Sequence, residues 1–440
     1  MQRYLCAAAA ALLILAAGSC AAEAPQRTGE GPRQSANNGT EAGRTAVEEG
    51  NGAVPLAESV ELTAGLPVTV QEAPVYGDPP LPAEYQGQTP PRGAGRAFTT
   101  DFSRATVSYE EIIAGGPPKD GIPSIDEPQF IPIGEAAQWL APQEAVLVAG
   151  VSDDSPASET TESRVRIYPL QILMWHEIVN DTVGGVPIAV TYCPLCNTGI
   201  VFLRRYDGRV LEFGTTGRVR FSNLIMYDRQ TESWWQQASG TAIAGRYAGG
   251  TLRILPVLNL SWSEARSRYP EAQVLSRDTG YSKPYGRNPY SGYDQSERPF
   301  LYRGPAAADD HPPMERVYAV KAGGEWQAYP YTQLRRRRVI QETVGGQPVA
   351  VFWQSGQASP LESSELAAGR DVGSANSFVP RADGRELEFR LREGRIIDLQ
   401  TGSRWDASGT AVSGPLAGTR LEPVPGTRHF WFSWNAFREE

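Results

Sequence analysis

The sequence predicts a mainly β protein with short helices, an α+β chain arranged as two tandem copies of one β-rich unit. Three observations predict it. The 440 residues include 45 Gly, 35 Pro and 10 Trp, a composition rich in turn formers and large aromatics. Short β-branched runs bounded by turn residues recur along the chain, as in Ile188-Ala189-Val190-Thr191 and Ile200-Val201-Phe202. Finally, Thr182-Val183-Gly184-Gly185-Val186-Pro187-Ile188-Ala189-Val190 returns 161 positions later as Thr343-Val344-Gly345-Gly346-Gln347-Pro348-Val349-Ala350-Val351.

Taken in order, residues 1–19 read as a lipoprotein-type signal peptide. Arg3 is followed by the apolar run Leu5 to Ala17, too short for a stable span, and by the small residues that precede Cys20. Cys20 is the expected acylated residue, which would make the chain an exported protein anchored to the cell envelope by N-terminal lipid. Residues 20–97 are poor in aromatics and rich in Gly, Pro, Ala and polar residues, so they are expected to form a disordered tether. A first β-rich unit is expected over 98–300 and a degenerate second copy over 301–440.

Within the first unit, Glu135 to Leu140 predicts a short helix, and Ala145 to Val151 and Val165 to Ile167 predict strands. Leu170, Leu173, Met174 and Ile178 are spaced as one helical face over Leu170 to Val179. Further strands are predicted at Val210 to Phe213, Leu224 to Tyr227 and Leu252 to Leu255. Between two apolar runs lies Tyr192-Cys193-Pro194-Leu195-Cys196-Asn197, in which Pro194 and Asn197 supply a turn that holds two thiols at a hairpin tip.

The four cysteines reduce to this pair once Cys6 leaves with the signal and Cys20 carries lipid. Three readings of the pair stay open. A thioredoxin-type couple would open a helix, whereas a strand follows here. A metal knuckle would use both thiolates, with His176 as third ligand, and Glu177 and Asp181 orienting the imidazole. Such a soft site suits copper first and zinc second. A disulfide staple is the structural reading. Met226 and Asp228 are candidates for the surrounding shell, beside Trp234 and Trp235, whose alternative role is to pack the sheet.

The repeat provides an internal comparison. At the same offset, His176 and Glu177 fall on Arg337 and Arg338, and Cys193 and Cys196 on Gln354 and Gln357. Tyr168-Pro169 returns as Tyr329-Pro330, Ala238-Ser239-Gly240-Thr241-Ala242 as Ala407-Ser408-Gly409-Thr410-Ala411, and Ser261-Trp262 as Ser433-Trp434. The Gly, Pro and apolar framework is thus kept in the second half and the strong ligands are not.

Gly115 to Pro123, Asp126-Glu127-Pro128, Tyr168-Pro169-Leu170, Trp175 to Asp181, Thr191 to Thr198, Met226 to Trp235, Tyr285 to Tyr290 and Pro312 to Val317 together resemble the domain-of-unknown-function family DUF3179. The resemblance covers about residues 100–330 and implies a bacterial or archaeal chain, but no settled activity.

A formal charge of −9 argues against nucleic acid as the partner. G-x-S-x-G, H-E-x-x-H and phosphate-cradling Gly loops are missing from the sequence, so hydrolase and nucleotide chemistry have no support. Arg335 to Arg338 reads as a solvated basic face, with contact to anionic lipid as the alternative. The functional expectation is an envelope lipoprotein that binds a soft metal through Cys193, Cys196 and His176. A thiol–disulfide redox protein and a non-catalytic structural lipoprotein are the alternatives, and no protein partner is indicated.

Overall fold

Strand-forming runs separated by Gly, Asn and Asp turns close into small antiparallel sheets, and the computed structural model describes them over residues 73–150, 165–306 and 310–438. The signal peptide and Cys20 lie outside the described residues. Strands β1 (Ala145–Gly150) and β2 (Val165–Pro169) lead into helix α1 (Leu170–His176), followed by β3 (Ile178–Val183), β4 (Val186–Cys193) and β5 (Thr198–Leu203). Strands β6 (Phe213–Arg220), β7 (Asn223–Asp228), β8 (Trp234–Gln236) and β9 (Leu258–Ser261) complete the first part. The protein is mainly β, as the sequence predicts.

Three sheets organise this part. Ile254–Leu255, β5, β4 and β3 form one. In the second, β9 pairs with β1 and β1 with β2, while Gln273–Leu275 runs parallel to β2 and antiparallel to Phe130–Pro132. The third contains Ile112–Ala114, β6, β7, β8 and Ala242–Ala244.

The helix predicted to reach Val179 stops at His176, because Glu177 takes a left-handed conformation (φ 57°) and Ile178 begins a strand. The Glu177 N–H still donates to the Leu173 carbonyl at 2.8 Å, and its carbonyl accepts from the Tyr192 N–H at 2.8 Å. One residue therefore closes the helix and starts the β3–β4 ladder.

The second part holds β10 (Arg316–Ala322), β11 (Glu325–Pro330), α2 (Tyr331–Arg337), β12 (Val339–Val344), β13 (Gln347–Gln354), β14 (Ser374–Phe378) and β15 (Gly426–Phe430). Strand β10 lies between β11 and β15, and β13 between β12 and β14.

Two sequence-based boundaries change. Residues 73–97, expected in the disordered tether, are packed on the body. The Tyr76 hydroxyl donates to the Ala248 carbonyl at 2.9 Å, Gln86 and Gln88 donate to the Ala105 and Val107 carbonyls, and Ala94 is fully buried. Sparse aromatics hid this order, because Gln amides supply the anchoring in place of apolar bulk. The division at 300/301 does not separate two cores either. Val146, Leu258 and Leu260 share one cluster with Phe352, Phe378, Phe389 and Trp405. Each such buried side chain contributes roughly 1.5–3 kcal/mol, so neither part presents a finished surface without the other. Asn376 seals the junction, accepting from the Asn259 N–H at 2.7 Å and donating to its carbonyl at 3.1 Å.

Candidate functional site

The two thiols sit where the hairpin reading puts them. Strand β4 ends on Cys193, Pro194–Cys196 make one 3₁₀ turn, and Asn197 in the left-handed region (φ 52°) turns the chain into β5. Register pairs Cys193 with Thr198. Both cysteines are free thiols and buried, with Cys193 2% exposed and Cys196 0%.

Burial pushes the Cys193 thiol well above its ordinary pKa, and the adjacent Cys196 thiol, within hydrogen-bond reach, adds to the rise. The N–H groups of Leu224 and Cys196 face the same sulfur and act the other way. Cys193 is therefore protonated at rest, yet the backbone already offers donors to its thiolate.

Cys193 opens onto a cavity of about 40 Å³ whose wall includes Glu177, Leu195, Thr215, Arg218 and Tyr290. That is room for roughly three water molecules. Glu177 arrives through the ladder: Ile178 pairs with Thr191, so Glu177 stands opposite Tyr192 and beside Cys193. Glu177 is 7% exposed, and its carboxyl makes no hydrogen bond among the described residues. Burial, and then the nearby Cys193, raise its pKa well above the usual carboxylate range.

His176 has hydrogen-bond partners other than the thiols. Its Nδ1–H donates to the Pro123 carbonyl at 2.8 Å, which leaves Nε2 to accept from the Tyr285 hydroxyl at 2.6 Å. Thr279 in turn donates to the Tyr285 oxygen at 2.5 Å. The ring is buried, and burial, with Lys283 nearby, lowers its pKa to about 4, so it is neutral at physiological pH. Neither expected carboxylate orients it. Glu177 diverges because its left-handed backbone turns the chain away from the helix face that carries His176. Asp181 instead accepts from the Tyr168 hydroxyl at 2.6 Å and the Thr182 N–H at 2.7 Å. Among the described residues, no group of three or more His, Cys, Asp or Glu side chains is placed to hold one metal ion.

Met226 is fully buried in the sheet core, paired with Thr215 and Trp235. Asp228 ties a turn: it accepts from the Trp235 indole N–H at 2.9 Å and from the Thr231 N–H at 2.7 Å. Both serve the sheet, and Met226 shares a buried cluster with Cys193 and Cys196.

Sequence reasoning missed two neighbours of the hairpin. Tyr290 lines the cavity, and His429 lies 3.1 Å from the Thr198 hydroxyl, two residues beyond Cys196. Burial lowers the His429 pKa to about 3. Nothing local signals either contact, since 231 residues separate His429 from Thr198.

A family model described as "Protein of unknown function (DUF3179)" matches residues 119–440. The match extends through the second part of the chain, beyond the region in which the sequence motifs lie. No curated protein and no solved structure matches.

Proposed function

The chain belongs to the DUF3179 family of unknown function, and we propose that it binds a single soft ion, copper(I), between Cys193 and Cys196 at the cell envelope. The observation that carries this reading is a pair of adjacent reduced thiols, one of them opening onto a cavity of about 40 Å³. Soft thiolates favour such an ion. At bond lengths of roughly 2.3 Å, two donors suffice for an ion of low coordination number, whereas structural zinc takes four. Each cysteine gives up a proton on binding, and the Leu224 and Cys196 N–H groups remain to stabilise the Cys193 sulfur. The size of the cavity favours an ion over a protein disulfide as the reacting partner, because exchange would require a second sulfur to reach Cys193 directly.

Copper(I) titration against a chromogenic chelator, on protein purified under reducing conditions, tests this. One equivalent per chain is expected, lost in Cys193→Ser and in Cys196→Ser and retained in His176→Ala. Absence of copper binding, or binding that survives both serine substitutions, refutes it. The exported, lipid-anchored state is proposed from the segment ending at Cys20, with the membrane as its partner. Cys20→Ala is expected to move the protein from the membrane to the soluble fraction; full retention in the membrane overturns the anchor.

The two parts are further proposed to be copies of one unit, the second having lost the thiols. Parallel details support this. Strands β1 and β10 are each flanked by the hairpin partner and a late strand, β9 or β15. Glu177 and Arg338 both close a seven-residue helix at positive φ, standing beside Cys193 and Gln354 respectively. Trp235–Asp228 and Trp405–Asp398 hydrogen bonds are each 2.9 Å long. The helix starts pair Trp262 with Trp431, rather than with Trp434 as the Ser-Trp match suggests.

A further inference from the structure

The basic run that reads as a solvated face opens in part onto a cleft of about 430 Å³, far larger than the cavity at Cys193. Arg335 and Arg336 of α2 line it together with Arg316 of β10 and Arg370 from the loop before β14, against one acid, Glu315. The cleft is independent of the dithiol site.

Its arginines are differently prepared. Arg316 is buried and held from behind, with Nη2 2.5 Å from the Asp294 carboxylate and 2.7 Å from the Ser359 hydroxyl. Arg370 shares that carboxylate at 3.1 Å and also pairs with Glu362 at 2.7 Å. One fully buried aspartate thus orients two guanidiniums. Glu315 is engaged by the Thr332 N–H at 3.0 Å.

Arg335 and Arg336 are exposed and have no carboxylate partner among the described residues. Arg335 reaches the Asp371 carbonyl at 3.4 Å and lies over the Trp353 ring, 5.9 Å from its centroid. A fifth guanidinium, Arg428, is 3% exposed beside Arg316 and Tyr331. Its Nη1 donates to Gln357 at 3.1 Å, while Nε and Nη2 have no hydrogen-bond partner among the described residues. Arg428 does not itself line the cleft, but its buried charge beside Arg316 and Tyr331 adds to the positive potential there, and such a charge is costly unless something offsets it.

We propose that this cleft binds a multiply charged phosphate-bearing anion, with the guanidiniums of Arg335, Arg336 and Arg370 converging on the phosphate oxygens. Arginine forks match phosphate geometry and give the strong class of charge-assisted hydrogen bonds. The volume exceeds that of inorganic phosphate, and Met314 and Val372 on the same wall suit the organic part of a phosphate ester. A soluble ester and an anionic phospholipid headgroup present the same chemistry to it.

The test uses the whole chain carrying Cys20→Ala, so that no acyl chain mediates attachment. Pyrophosphate binding is measured by calorimetry, and vesicle binding by co-sedimentation with phosphatidylcholine alone or mixed equally with phosphatidylglycerol. The double variant Arg335→Ala/Arg336→Ala is expected to weaken binding at least about tenfold, the loss of one or more charge-assisted contacts. Arg392→Ala/Arg395→Ala removes the same charge from an exposed hairpin elsewhere and should change little. Pyrophosphate binding sensitive to Arg335/Arg336 supports a soluble ester. Phosphatidylglycerol binding with the same sensitivity, without pyrophosphate binding, supports a headgroup. Failure to bind either probe, or equal weakening by the Arg392/Arg395 control, overturns the proposal.

Discussion

Replacing Glu264 by Gln should stabilise the protein at alkaline pH and leave it unchanged below about pH 4. Glu264 lies in the first turn of the helix Trp262–Arg268, where a capping box joins it to Ser261. Its Oε2 accepts the Ser261 N–H at 2.7 Å and the Ser261 hydroxyl at 2.8 Å, but Oε1 is buried without a partner among the described residues. The second part of the chain packs over this helix: Arg268 pairs with Asp406, and Arg420 donates to the Arg268 carbonyl at 3.1 Å. Burial raises the Glu264 pKa from 4.5 to about 7, with the Asp406 charge adding to the rise and the Ser261 bonds opposing it. Between these two values the folded chain keeps a proton that the unfolded chain has released, so stability falls as pH rises. At about 1.4 kcal/mol per pH unit, the loss is on the order of 3 kcal/mol. Glutamine keeps an acceptor for Ser261 and does not titrate. Urea unfolding of both proteins at several values between pH 5 and 8 should give a difference that grows with pH and then levels off. Other raised groups, such as Glu144 and Asp228, are common to both chains and cancel. A difference independent of pH, or a variant weaker at pH 8, would refute the assigned burial.

Trp235→Phe and Trp405→Phe each remove an indole N–H from a fully buried aspartate. Each should cost at least about 1.5–3 kcal/mol, and similar losses in denaturant midpoint are expected if the parts are copies. A cost at one site only would count against that reading. Gly217→Ala should destabilise by more than about 1–2 kcal/mol, the ordinary cost of a left-handed L-residue. Gly217 is at φ +71°, and a Cβ there would overlap the Pro117 carbonyl at the edge of the Cys193 cavity. Thermal melts check this, and a neutral substitution would mean that the Pro117 loop is free to move away.

The hairpin that carries the thiols was legible because its determinants are local. Alternating β-branched residues, Pro194 and a left-handed Asn197 specify a turn without reference to the remaining chain. The mainly β class and the family resemblance follow from the same short-range signals. The surroundings of His176 were not legible. Its ring is held by Pro123 and Tyr285, which lie 53 and 109 residues away. The left-handed turn at Glu177 then sends the next side chain to the cavity that the histidine was expected to share. The shared core of Leu258, Phe352 and Trp405, the cleft between α2 and Arg370, and the raised pKa of Glu264 are likewise products of docking. Sequence alone determined that the chain is rich in strands and where the thiol hairpin turns. Which faces meet was decided only by tertiary structure, because periodicity records that a side chain is buried and not what it is buried against.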